Sequence, residues 1–177
     1  MRAEPRVGAG RRRFVLEIAR AAGVAPVALG VLDGTAAALP RGEPTDMAIL
    51  SAALMIEHHA IALYGYGLER GLFPRGLRDY AVEFRGDHLG HRDTQIAIME
   101  ERGAPAPAAL RYDFPAARPG DAFVQQALEI EVAAQLAYTG LISQIRTDDY
   151  LLSAGFILVD EVRHMTVWRR VLGLKIY

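Results

Sequence analysis

Asp160-Glu161-Val162-Arg163-His164 lies inside a run, Leu158 to Trp168, with helical composition and no glycine or proline. Residues three apart share a helix face, so Glu161 and His164 point at one spot. An ionised carboxylate and a neutral imidazole placed that way are two ligands for one metal ion. A lone Glu-x-x-His pair decides nothing, because both residues are common on wet helix faces. Its weight comes from the rest of the chain, which builds the same arrangement a second time.

The chain has 177 residues, 51% of them hydrophobic, which suits one domain with a substantial core. It contains no cysteine, which excludes disulfides, thiolate metal sites and iron–sulfur clusters and leaves the compartment undecided. A net charge of −1 supplies no basic field for nucleic acid. Beyond the N-terminal region nothing reads as a transmembrane span, so no membrane insertion is expected.

Residues 1–38 read as an address label. Arg11-Arg12-Arg13-Phe14-Val15-Leu16 precedes a weakly apolar stretch, Ala21 to Leu32, and the small residues Ala36-Ala37-Ala38 follow. A charged start, an apolar middle and a small-residue end make a secretory signal. The Arg-Arg-x-Phe-Val order resembles the twin-arginine type, so export to the periplasm or the exterior is expected. Glu17, Arg20 and Asp33 interrupt the pattern. The alternative is an N-terminal arm packed on the domain, with the protein remaining cytoplasmic. Without residues 1–38 the chain would carry 14 basic and 18 acidic residues, a net of −4.

Residues 39–177 read as four helices. Pro40-Arg41-Gly42-Glu43-Pro44 breaks the chain, and Thr45 or Asp46 can cap a helix that runs through Met47, Leu50, Leu54, Ile61 and Leu68 to Gly71. A second helix covers about Arg75 to Arg102. Its Gly86 and Gly90 each cost about 1 kcal/mol in propensity and are expected to admit a neighbouring helix. A third starts at Asp121 as cap and continues to about Arg146. The fourth runs from near Asp148 to just before Gly173. No run alternates with period two, so the fold class is all-α.

The loops set the topology. Short connections near residues 71–75 and 146–148 make each joined pair an antiparallel hairpin. Ala104 to Gly120, with Pro105, Pro107, Pro115 and Pro119, joins the hairpins. Extended, it reaches roughly 55 Å, longer than a 26-residue helix of about 39 Å. It can therefore cross the whole bundle, which is the ferritin-like arrangement.

The repeat follows. The first helix carries Glu57 and, seven residues on, Tyr64; the third carries Glu131 and, seven residues on, Tyr138. The second carries His88-Leu89-Gly90-His91 and the fourth Glu161-Val162-Arg163-His164. Glu57 to His91 is 34 residues and Glu131 to His164 is 33. Measured from the turns, all six lie within about one helical turn of the same depth. Glu57, His88, His91, Glu131, Glu161 and His164 are thus candidate ligands in one layer.

These stretches, together with Glu57-His58-His59-Ala60-Ile61-Ala62-Leu63-Tyr64, resemble the ferritin-like superfamily, in particular its exported bacterial, desiccation-related members. The resemblance implies a pair of iron or manganese ions held by Glu, Glu-x-x-His, Glu and Glu-x-x-His. Glu57, His91, Glu131, Glu161 and His164 fill five of the six places. The sixth calls for Glu and holds His88. Three Glu supply −3 rather than −4, and imidazole suits zinc, copper, nickel or iron. A single ion, a mixed site and an asymmetric pair all remain open.

Asp87, Glu83 and His58 are near enough to substitute for ligands or to orient them. Tyr64 and Tyr138 are expected as core residues with bonded hydroxyls. Trp168 is expected to pack, His59 to face solvent or back a ligand, and Arg163 to make a salt bridge on another face. Two functions follow. One is an oxygen- or peroxide-handling di-metal oxidoreductase with ferroxidase, peroxidase or catalase-like chemistry. The other is an exported stress or interaction protein with a vestigial or structural metal site. Expected partners are metal ions and oxygen or peroxide, with a homo-oligomer through bundle faces left open.

Overall fold

The computed structural model describes residues 43–114 and 118–176. The twin-arginine-type segment, residues 1–38, lies outside them. Four helices carry the described chain: α1 (Glu43–Glu69), α2 (Arg78–Glu101), α3 (Asp121–Ile142) and α4 (Asp148–Val171), with a 3₁₀ turn at Arg75–Leu77 leading into α2. No strand occurs among the described residues, so the chain is an all-α four-helix bundle.

Each helix starts and stops for a local reason. Gly71, Gly103 and Gly173 follow α1, α2 and α4 with φ between 63° and 65°, the left-handed geometry that only glycine adopts without penalty. Gly120, at φ 77°, precedes α3 and takes the capping position expected of Asp121. α3 ends at Ile142, four residues before Arg146, where the chain turns through Ser143 to Thr147.

Asp46 does not cap its own helix. Its carboxylate accepts hydrogen bonds from the Arg146 and Thr147 backbone N–H groups and the Thr147 hydroxyl, at 2.8–3.2 Å. It therefore ties the start of α1 to the turn between α3 and α4, 100 residues further along the chain. At the opposite end the Gly120 N–H donates to the Leu72 carbonyl at 2.8 Å. The crossover thus leaves α2 at one end of the bundle and enters α3 at the other. The order is up, down, down, up, with α1 against α2 and α3, and α4 against α3 and, more thinly, α2.

Two apolar cores fill the ends. One gathers Ile49, Leu50, Leu54, Met99, Leu141 and Ile157. The other is aromatic, with Tyr64, Phe73, Phe84, Phe123 and Trp168. The close approach lies at Gly67, not at Gly86 or Gly90. A Cβ at Gly67 would overlap the Phe123 and Phe73 rings, whereas one at Gly86 or Gly90 meets nothing within 4 Å. The expectation for those two glycines is corrected: they face outward and only weaken the helix. Contrary to the expectation that nothing beyond the N-terminal region reads as a membrane span, Asp46–Glu69 of α1 is long and apolar enough to cross a membrane, at mean hydropathy 1.4, but 61% of that window is buried in the bundle. Its apolarity serves the core.

The crossover is fastened to α1 by two histidines. His58 Nε2 lies 3.2 Å from the Pro107 carbonyl oxygen. His59, expected on the surface or behind a ligand, instead stacks under Tyr112 and Phe114, with ring centroids 4.7 and 5.6 Å away. Burial lowers the His59 pKa to about 4, against 6.5 ordinarily. A base whose folded value lies below its unfolded one contributes stability that is present above the unfolded pKa and lost as pH falls toward the folded one. The window is therefore about 6.5 down to 4, and near pH 5 the loss is roughly 2 kcal/mol. Replacing His59 by Phe keeps a stacked ring that cannot protonate. Urea melts of both proteins at about pH 7 and about pH 5 should show that the variant lacks this share of the acid loss. An equal loss in both would place the lability elsewhere.

Candidate metal centre

Between the two apolar cores lies one polar layer. Glu57, His88, Glu131, Glu161 and His164 are fully buried, and His91 is 8% exposed. α1 supplies Glu57, α2 His88 and His91, α3 Glu131, and α4 Glu161 and His164. The structure brings all six sequence candidates together, in two overlapping sets. Glu57, His88, His91 and Glu161 form one; His88, Glu131, Glu161 and His164 form the other. Within each set one nitrogen or oxygen per residue lies within 4.8 Å of the others.

His88 sits between the sets. Its Nδ1 is 2.8 Å from Glu57 Oε2 and 3.5 Å from Glu161 Oε1, and its Nε2 is 3.4 Å from Glu131 Oε1. His91 Nδ1 is 3.5 Å from both Glu57 Oε2 and Glu161 Oε1. His164 Nδ1 is 3.5 Å from Glu131 Oε2.

The two tyrosines cross between hairpins. Tyr64 of α1 donates to Glu131 of α3, and Tyr138 of α3 donates to Glu57 of α1 at 2.5 Å. Behind them Trp168 donates to Tyr64 at 2.7 Å and Gln95 to Tyr138 at 2.5 Å. Trp168 therefore does more than pack.

Carboxylates orient the outer ring nitrogens. Asp160 lies 3.2 Å from His91 Nε2, and Asp87 lies 3.0 Å from His164 Nε2. Arg163 donates to Glu83 and Asp87 at 2.5 Å each and lies 3.6 Å from Asp160. Arg163 makes the expected salt bridge on another face, and its partners include Asp87 and Asp160, the carboxylates beside His164 and His91. His58 takes no part, since it holds the crossover.

Each charge in the layer is set by its neighbours. Burial alone would raise the Glu57 carboxyl, but the hydrogen bond from His88, the contact with His91 and the positive charge of both rings hold it at about 2. Glu131 is likewise held low, because His88 and His164 outweigh its burial. Glu161 is pushed up, chiefly by burial, with the Glu131 and Glu57 charges outlasting the opposition of His88 and His91. Burial would lower His91, yet its contacts with Glu161 and Glu57 raise it to about 10. His88 is raised against its own burial by the carboxylates around it. In the absence of a cation, then, protons neutralise the layer.

The residues present fit a metal. Five of their buried atoms make no hydrogen bond: His91 Nδ1, His164 Nδ1, Glu131 Oε2 and both Glu161 oxygens. An unpaired buried polar group costs about 1–3 kcal/mol. Four of the five lie 3.5 Å from a nitrogen or oxygen of the same layer, too far for a good hydrogen bond and close enough to share one ion. All five belong to the two ligand sets, and metal binding would exchange protons for a cation there.

Residues 45–174 match the family described as Ferritin-like domain. The chain belongs to that family. Its fold is also similar to a solved structure of a conserved hypothetical protein from Mycobacterium tuberculosis, at 28% identity and a TM-score of 0.66, covering 73% of this chain and 98% of that one. No curated protein matches.

Two residues of this ferritin-like layer escaped the sequence reading, Asp160 and Gln95. The internal repeat could have found both. Aligning Asp87-His88-x-x-His91 with Asp160-Glu161-x-x-His164 puts Asp87 and Asp160 in register. Four residues beyond each last histidine come Gln95 and Trp168, the two donors to the tyrosines. Asp160→Ala should leave the helices intact and lower metal affinity about 10- to 100-fold, as loss of an orienting partner does. Competition with a chromophoric chelator measures it, and unchanged affinity would show that His91 needs no partner.

Proposed function

We propose that this ferritin-like protein holds transition-metal ions in its central layer, at a dinuclear-type site of Glu57, His88, His91, Glu131, Glu161 and His164. One observation carries the reading: the five buried ligand atoms without hydrogen bonds all face the two overlapping sets. Iron or manganese there would supply electron transfer to dioxygen or peroxide. The protein's own part is geometric. α1 to α4 present three carboxylates and three imidazoles, Tyr64 and Tyr138 fix Glu131 and Glu57, and Asp87 and Asp160 hold protons on the outer nitrogens of His164 and His91. The apolar cores on either side exclude water.

His88 favours a second reading. It bonds Glu57 and Glu131 with its two ring nitrogens and so substitutes for much of what a cation would do. In that reading the protein is a non-catalytic stress or interaction protein whose metal site is structural or vestigial. Export through the twin-arginine-type residues 1–38, kinship with the desiccation-related members, and self-association through a bundle face such as exposed Leu152, Phe156 and Val159 belong to this proposal under either reading.

Metal content of protein purified without added metal, together with oxygen and peroxide consumption, separates the readings. Glu161→Ala should lose most metal and remain folded, with metal-free stability equal to or above wild type because a buried, unpaired carboxylate has gone. Wild type that binds no transition metal would sink the metal-holding function. Metal without oxygen or peroxide turnover would leave the structural reading.

A further inference from the structure

We infer that the half of the layer formed by Glu57, His88, His91 and Glu161 is a complete four-coordinate site. It takes one divalent ion of the zinc type before any ion enters the Glu131–His164 half. The inference rests on the metal-holding function above and adds the class of ion, its coordination and the order of loading.

Three observations carry it. The first is spacing. Taken in the order Glu57 Oε2, His88 Nδ1, Glu161 Oε1, His91 Nδ1, the donor atoms form a ring with sides of 2.8, 3.5, 3.5 and 3.5 Å. Bonds of about 2.0–2.1 Å set donors about 3.3–3.4 Å apart at tetrahedral angles, and only about 2.8–3.0 Å apart at the right angles of octahedral or square sites. Three of the four sides match the tetrahedral spacing. The short side is the one where a proton joins His88 to Glu57; on binding, the protons held on the four donor atoms leave to solvent and the ion takes their place.

The second is orientation. Each histidine of this half is backed on its far nitrogen by a carboxylate, His91 by Asp160 at 3.2 Å and His88 by Glu131 at 3.4 Å. Those contacts leave Nδ1 of both rings facing Glu57 and Glu161, the carboxylate–histidine–metal arrangement. Glu131 meets the far nitrogen of His88, Nε2, whereas Glu57 meets Nδ1, the nitrogen that faces this half. Glu131 serves this half as an orienting group.

The third is the donor set and its charge. Two neutral imidazoles and two carboxylates neutralise a divalent ion, which is the least costly charge state for a buried site. Two nitrogens and two oxygens in a closed set suit zinc, whereas manganese and magnesium prefer six oxygen-rich positions. The other half has the same two imidazoles and two carboxylates by type but draws half of them from the first. His164 Nδ1 and Glu131 Oε2 lie 3.5 Å apart and share with it only His88 and Glu161, both already placed in the first half.

The test is cobalt(II) titration of the full chain after chelator treatment, read in the visible spectrum, followed by displacement with zinc. The first equivalent should give the intense bands of four-coordinate cobalt, and one equivalent of zinc should abolish them. His91→Ala, with His91→Gln as a second variant checked for helical content, should lose this spectrum; His164→Ala should keep it. His88→Glu should replace the intense bands with the weak ones of six-coordinate cobalt. Weak bands from the first equivalent in wild type would overturn the four-coordinate assignment, as would loss of the spectrum in His164→Ala but not His91→Ala. Either result would leave the metal-holding function standing. A folded wild type that binds neither cobalt nor zinc would overturn both.

Discussion

Three carboxylates stand in one dry layer of a bundle otherwise packed with apolar side chains, and the rest of the structure answers to that. Ionised together in a low-dielectric interior, Glu57, Glu131 and Glu161 would repel one another at short range. The layer resolves this unevenly. Glu57 and Glu131 are held ionised by His88 and His91 or His164, and each accepts from a buried tyrosine. Glu161 has no tyrosine donor: His88 and His91 stand 3.5 Å from one of its oxygens, neither oxygen makes a hydrogen bond, and burial drives its carboxyl toward the neutral form. It is the point at which the layer asks for a cation.

The helices deliver this layer through an approximate two-fold relation between hairpins. Each half supplies a Glu and a Tyr seven residues apart on one helix, and on the next an Asp, a ligand-type residue and a His. The tyrosines and the two Asp residues act on the opposite hairpin, so neither half completes its own site. Asp46 at one end and the Gly120–Leu72 contact at the other fix the hairpins in register. A slide of one hairpin by a single turn, about 5.4 Å, would break every one of these cross-bonds.

His88 breaks the symmetry where the second half has Glu161. Its ring carries no negative charge, and its two nitrogens lie against carboxylates of different helices. A Glu there would have made the repeat exact, with four carboxylates and two imidazoles; with His88 the layer holds three of each. Arg163, opposite Gly90 in the repeat, breaks it again on the outside by gathering Glu83, Asp87 and Asp160. The two hairpins therefore contribute different side chains on one plan, two imidazoles and one carboxylate from the first and one imidazole and two carboxylates from the second.

Much of this was legible in the sequence. The 3.6-residue apolar period, the glycine stops and the length of Ala104 to Gly120 were enough for four helices and a crossover, because they are local or depend only on chain length. The six layer residues were legible as well, because depth along a straight helix is counted in residues from a turn. What escaped was anything set by how helices rotate against one another. Nothing local distinguishes Gly67, pressed against Phe123, from Gly86 and Gly90, which face outward. Nothing local sends Asp46 to the turn at Arg146 and Thr147, 100 residues away, or His59 beneath Tyr112 and Phe114. The sequence by itself determined which residues share the layer. Only the tertiary structure decided which nitrogen of each histidine faces inward and which carboxylates remain unpaired, since those depend on distances across helices that no spacing along one helix contains.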